Sequence, residues 1–193
     1  TSISIEAIER VVENADALVV VDEAYGEFAD DTVLTLLPEH ANLVVLRTFS
    51  KAFRSAGLRI GYLLAHSVWT EQVVKVLPPF NTSIVSCEAA RSILRHRALL
   101  RPGLDQTIAE RDRTVEVLEG IRGITPVRSE ANFICFRTEE PPRSVYDRLL
   151  DRGILVRDIS GYPLLEDCLR VSVGTSDENR AFVTALHEIM EER

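Results

Sequence analysis

The chain has 193 residues, 46% of them hydrophobic and 27% charged, and a formal net charge of -8. That apolar content supports a packed core in one large or two small domains and excludes a disordered chain. The acidic balance argues against generic nucleic-acid or anionic-membrane binding, since phosphates would be repelled. No apolar run reaches the roughly 20 residues a membrane helix needs, and the first residues lack the basic start and apolar centre of a leader, so the chain reads as cytoplasmic.

In chain order, Ile5, Ile8, Val11 and Val12 form a helical apolar stripe with Ser2 or Ser4 as cap. Residues 17–21 and 43–46 are continuous β-branched or aliphatic runs, ended by Asp22-Glu23 and Arg47-Thr48, and read as buried parallel strands. A third run, 60–65, suits a strand of the same sheet. Helical patterns cover 68–77, 83–97 and 104–118, with Pro78-Pro79 and Pro102-Gly103 expected to interrupt helix continuity. After Gly120 and Gly123 the character changes. Strands are expected at 132–137, 154–157 and 169–173 and a helix at 143–152, and Thr175-x-x-Glu178 makes a capping box before Phe182, Leu186 and Ile189. The pattern predicts an α/β layer over 1–120 followed by a small α+β domain over 121–193.

Cys87, Cys135 and Cys168 are odd in number and widely spaced, so they read as free thiols and not as a disulfide frame or metal knuckle. His187-Glu188 begins like a zinc-protease motif, but Glu191 stands where the second histidine is needed. No metal is expected.

The polar residues that end the strands carry the chemistry, because open α/β sheets bind ligands at strand carboxyl ends. Asp22, directly after a buried strand, would be held in low dielectric and in fixed orientation to neutralise a cationic ligand atom; a helix-capping loop carboxylate would look the same. A Walker-B aspartate in a nucleotide hydrolase is a further alternative, but the phosphate loop G-x-x-x-x-G-K-[ST] is absent. Lys51 follows the second strand, flanked by Thr48 and Ser50 and followed by Arg59, so an amine would stand beside an anion pocket. Alone, such a lysine is more often a solvated loop residue.

Asp22-x-Ala24-Tyr25, then Ser50-Lys51, then Gly57-Leu58-Arg59-x-Gly61 resembles the signature of the fold-type I pyridoxal-phosphate aminotransferases. The wording of Val21–Phe28 and Arg47–Phe53 is similar to the histidinol-phosphate aminotransferases. The likeness continues through Ser129-x-Ala131-Asn132-Phe133, Gly153–Asp158 and Cys168–Thr175, over essentially the whole chain.

The resemblance implies pyridoxal 5'-phosphate as cofactor, with a large domain carrying a parallel or mixed sheet and a small α+β domain. It implies that Lys51 condenses with the cofactor aldehyde and later shuttles a proton, that Asp22 pairs with the pyridine nitrogen, and that Tyr25 bonds the 3'-oxygen. Ser50 and Arg59 would bind the phosphate, with Thr48 an added hydroxyl donor or a local backbone bonder. Arg170 and Arg157 would receive the anionic ends of substrates. Asn132 has no assigned role, since local backbone bonding explains it equally well.

The reaction implied is amino transfer from L-histidinol phosphate to 2-oxoglutarate. An aromatic or broad-specificity aminotransferase and a related decarboxylase are alternatives on the same scaffold. A non-catalytic module derived from the enzyme would have no reason to keep Asp22, Tyr25, Lys51, Arg59 and Arg170 in register. Homodimers are expected. The resemblance places this chain in the carboxy-terminal part of the enzyme, without the first half of the large domain, so the isolated chain is expected to be inactive.

Overall fold

The structure, a computed structural model, describes residues 2–192. Its first helix, α1 (Ile5–Asn14), starts where the sequence offers a cap, the Ser4 hydroxyl accepting from the Ala7 amide. Val12 on its inner face packs with Val33, Leu43 and Val45. At the other end Asn42 Nδ2 donates to the Val12 carbonyl at 2.9 Å, which satisfies a group that a helix terminus leaves open.

Strands β1 (Val19–Asp22) and β2 (Leu43–Thr48) pair in parallel with Asp22 opposite Leu46. Strand β3 (Gly61–Ala65) joins the far side of β2 antiparallel, so the order is β1-β2-β3 and the sheet is mixed. The first two strands were expected to be buried on both faces. Residues 43–45 of β2 are buried, but β1 alternates and Val20 is 52% exposed. One face of β1 is therefore uncovered among the described residues.

Two helices follow, α2 (Ser67–Val76) and α3 (Ile84–Arg95), the second capped by Ser83. Around and between them Val74, Val76, Phe80, Ile84 and Val85 are all exposed. The next helix, α4 (Arg97–Glu119), corrects one expectation, because Pro102 lies inside it and does not interrupt it. An interior proline costs about 3 kcal/mol. Here it falls in the second turn, and the turns beyond it bury Glu110, Arg111, Thr114 and Leu118, which offsets the loss.

The chain divides at this proline into two compact units, Ser2–Pro102 and the residues from Gly103 onward. The boundary had been expected near residue 120. The difference arises because the later half of α4 gives Leu118, with Val115 beside it, to the second unit's core.

That second unit is built on strands β4 (Ile124–Val127), β5 (Phe133–Thr138), β6 (Arg157–Asp158) and β7 (Cys168–Ser172) in the order β4-β5-β7-β6, all antiparallel. Helices α5 (Pro142–Asp151) and α6 (Ser176–Glu191) pack with Ile134, Phe136, Leu169 and Val171 in a core of fifteen buried residues. Strand β4 was not anticipated, and Pro126 is tolerated in it because β4 is an edge strand. The strand expected at 154–157 shrinks to Arg157–Asp158, because the Ile154 amide is used by the last turn of α5, on Leu149 O at 2.9 Å. The capping box at Thr175 and Glu178 forms at the start of α6. Buried Glu110 then reaches from α4 to the same helix, accepting from Ser176 Oγ at 2.8 Å and Asn179 Nδ2 at 3.1 Å. Those bonds, Asn179 first, hold its carboxyl below its ordinary value of 4.5 against the opposing effect of burial.

Candidate active site

Parallel pairing of β1 and β2 sets the last residues of both strands side by side, which places the Asp22–Tyr25 and Thr48–Lys51 segments at one sheet edge. Asp22 Oδ1 accepts from the Ala24 amide at 2.9 Å, turning the chain sharply toward Tyr25. Asp22 is exposed, not held in low dielectric as expected. The Thr48 hydroxyl caps the Ser50 amide at 3.1 Å and so shapes the turn before Lys51.

The Lys51 ammonium stands 5.3 Å from the centroid of the Tyr25 ring, close enough for cation–π attraction. No other ion pair or hydrogen bond holds that amine among the described residues. The sequence contains one other lysine, Lys75, which bonds Gln72 on the exposed face of α2 at 2.9 Å. Amine chemistry in this chain therefore has two candidates, and one of them stands beside a phenol.

Beyond Lys51 the chain turns through Arg54 and Arg59, both in the left-handed region at φ 52° and 49°. Side chains other than glycine, asparagine and aspartate seldom adopt it, and each instance costs about 1–2 kcal/mol. Arg59 is exposed and donates to the Ala56 carbonyl at 3.0 Å, leaving most of its donors turned outward. Ser86 on α3 holds the same turn through the Leu58 carbonyl at 2.8 Å. At Gly61 an added Cβ would fall 2.8 Å from the Arg47 carbonyl, so no side chain fits between β3 and β2 there.

In the second unit Arg157 and Arg170 are directly opposed on β6 and β7, so they occupy one face of the sheet. Cys135 continues the row on β5. Arg170 lies 4.9 Å from the Phe133 ring centroid, and its buried Nε has no hydrogen-bond partner. Asp158, next to Arg157, spends its carboxylate on the Ser160 hydroxyl at 2.6 Å and amide at 2.9 Å, bonds that pull its titration below the ordinary range. It does not neutralise Arg157, which has no ion pair among the described residues. Two cations on one face, neither paired with a carboxylate, make an anion-receiving surface.

The three cysteines are free thiols. Burial pushes the Cys168 thiol up to about 11 and moves Cys135 the same way, so neither offers a thiolate near neutrality. Ser129 bonds the Phe133 carbonyl at 2.6 Å and the Ala131 amide at 3.1 Å, and the Asn132 carbonyl accepts from the Val173 amide at 2.9 Å, so this motif shapes the entry to β5. No group of three or more metal-ligating side chains occurs among the described residues, and no helix is long and apolar enough to cross a membrane. Residues that sequence reasoning passed over are Arg47, Glu23, Glu27 and Thr32, joined in a part-buried ion cluster. Glu23 and Arg47 each stand directly next to an expected site residue, which was the only signal.

Residues 1–186 match the family model described as aminotransferase class I and II. The chain belongs to this family. Among relatives, it is 39% identical over 173 residues to the histidinol-phosphate aminotransferase of Ruminiclostridium cellulolyticum, covering 90% of this chain and 48% of the relative. It is 37% identical to that of Prosthecochloris aestuarii, covering 97% and 53%. The chain thus spans about half the length of these aminotransferases. The histidinol-phosphate aminotransferase of Sinorhizobium meliloti, solved in complex with pyridoxal-5'-phosphate, superposes with a TM-score of 0.83 at 31% identity, covering 95% of this chain and 53% of that one. The fold is also that of the Clostridium acetobutylicum histidinol-phosphate aminotransferase, with a TM-score of 0.92 at 24% identity, covering 99% and 60%. Membership of the aminotransferases does not favour the nucleotide-hydrolase alternative for the Asp22 strand.

Proposed function

We propose that this chain supplies the lysine-bearing part of a pyridoxal-phosphate-dependent aminotransferase that moves the amino group of L-histidinol phosphate to 2-oxoglutarate. The observation that carries the reading is the Lys51 amine beside the Tyr25 ring, at the edge where β1 and β2 end. The residues fit the cofactor. Lys51 offers an amine without a competing carboxylate, Asp22 keeps one carboxylate oxygen with no partner among the described residues, Ser50 directly precedes the lysine, and Arg59 ends the following turn.

When bound, the cofactor supplies an electron sink for the substrate's α-carbon. The chain's own residues do the rest. Lys51 would hold the cofactor through its amine and, as general base, would carry a proton from the substrate α-carbon. Asp22 would hold a proton on the ring nitrogen by its charge. Tyr25 would donate to the ring oxygen beside the lysine. Ser50, Thr48 and Arg59 would bind the phosphate as two neutral donors and one charged fork. Arg157 and Arg170 hold the anionic end of the substrate, and their pairing without a neutralising carboxylate favours a doubly charged phosphate over a single carboxylate.

The exposed apolar run around α2 and α3 supports a second copy as partner in the complete protein. The free thiols suit the reducing cytoplasm. With Asp22 and Arg59 exposed, residues 1–193 alone are expected to bind the cofactor weakly and turn over little. Competition between L-histidinol phosphate and phenylalanine as amino donors to the complete protein tests the substrate. Preference for the phosphate donor is expected, and equal or better use of phenylalanine would replace the assignment with an aromatic aminotransferase.

A further inference from the structure

We propose that Arg47, Glu23 and Glu27 form a positioning clamp that sets the distance between Tyr25 and Lys51, a role that rests on the cofactor reading above. Arg47 is the second-to-last residue of β2, four positions before Lys51. Its Nε and Nη2 donate to Glu23 Oε2 at 3.0 and 2.6 Å, Nη1 donates to Glu27 Oε1 at 2.8 Å, and Nη2 also donates to Thr32 Oγ1 at 2.9 Å. Glu23 is held in turn by the Thr32 hydroxyl and the Val33 amide, both at 2.8 Å. Its own amide bonds the Leu46 carbonyl at 2.9 Å, extending the β1–β2 ladder by one step.

Tyr25 lies between the two glutamates in sequence. Its loop is therefore pinned on both sides to one guanidinium, which is rigidly joined through β2 to the turn that carries Lys51. Gly26 completes the fit, since a Cβ there would sit 3.0 Å from the guanidinium carbon. The planar fork matters, because three separate oxygens are met from one rigid group and a lysine could not span them.

Stability alone does not account for the cluster. Side-chain exposures of 9%, 10% and 15% put one cation and two carboxylates out of water, and Glu27 Oε2 is buried without a partner. Buried ion groups of this kind cost desolvation energy that apolar residues of similar volume would not. What the arrangement supplies is geometry, and misplacing a reactive group by about 1 Å is enough to cost about a hundredfold in rate.

The test uses the complete protein as Glu23→Gln and Arg47→Lys, with Leu43→Ala as a control that loosens the core of the same unit away from the loops. Three readouts are taken: apoprotein melting temperature, the pyridoxal phosphate dissociation constant, and the pH midpoint for acylation of Lys51 relative to Lys75 by mass spectrometry of the apoprotein. At matched loss of melting temperature, both clamp variants are expected to weaken cofactor binding about tenfold or more and to shift the Lys51 midpoint by about one pH unit. Leu43→Ala is expected to leave both within about twofold of wild type. If the clamp variants change melting alone, or if Leu43→Ala moves binding and midpoint equally, the clamp is a structural feature and the proposal is overturned. Wild-type protein that takes up no pyridoxal phosphate would instead overturn the cofactor reading, and the clamp's role with it.

Discussion

The two units of this chain spend their residues differently. The unit from Gly103 onward closes a core of fifteen buried residues between its sheet and the helices α4, α5 and α6. Ser2–Pro102 gathers Val12, Val33, Leu43 and Val45 in a smaller cluster, and leaves Val20, Val74, Phe80 and Ile84 exposed. The Lys51–Tyr25 pair sits on the unit with the smaller cluster, next to the Arg47–Glu23–Glu27 ion group. The contrast teaches that a fold can keep reactive groups in register through a few directed polar contacts, while its bulk stability is stored elsewhere.

The largest expected effect breaks the core of the second unit. Phe136→Ala or Leu186→Ala should cost about 3–5 kcal/mol by denaturant unfolding, since both side chains are fully buried. Val20→Thr on the open face of β1 should stay within about 0.5 kcal/mol. Equal losses would mean that β1 is covered in solution.

A smaller effect is expected at the anion-receiving face. Arg170→Lys keeps the charge but loses the planar contact with Phe133 and the fork. It should raise KM for the phosphate donor about ten- to a hundredfold, the loss of about 1.5–3 kcal/mol expected for a charged hydrogen bond, with melting unchanged. A fall in kcat at constant KM would place Arg170 away from the substrate.

The smallest effect is a pH dependence. Glu110 titrates below its ordinary value of 4.5 in the folded chain, chiefly because Asn179 and Ser176 bond its carboxylate. A depressed carboxyl contributes stability that is fully present above the unfolded value and is lost as pH falls through the folded one. Acid unfolding of Glu110→Gln should therefore be shallower than wild type below about pH 4.5, with the two converging in acid and keeping a constant difference above it. Parallel curves would show that Glu110 is not coupled to folding.

Much of this was legible in the sequence, for physical reasons that differ between elements. Capping at Ser4 and Thr175 depends on local geometry, so the polar residue before an apolar period marks it. The runs at 43–46 and 60–65 announced strands by composition, but their relative direction is a tertiary property, and β3 runs antiparallel. Pro102 misled because local propensity counted against a helix that long-range packing sustains. At the site, the expected Tyr25 and Lys51 do come together, as do Arg157 and Arg170, because strand register brings distant segments level. The clamp was not visible, since Arg47 and Glu23 are 24 residues apart and only the β1–β2 pairing makes them neighbours.

The central claim is that Lys51, and not Lys75, is the amine that carries the cofactor. The direct measurement is to incubate the complete protein with pyridoxal phosphate, reduce with borohydride, digest, and locate the added mass. The account predicts a single modified site at Lys51 that disappears in Lys51→Ala. Modification at Lys75, or none in wild type, would contradict it.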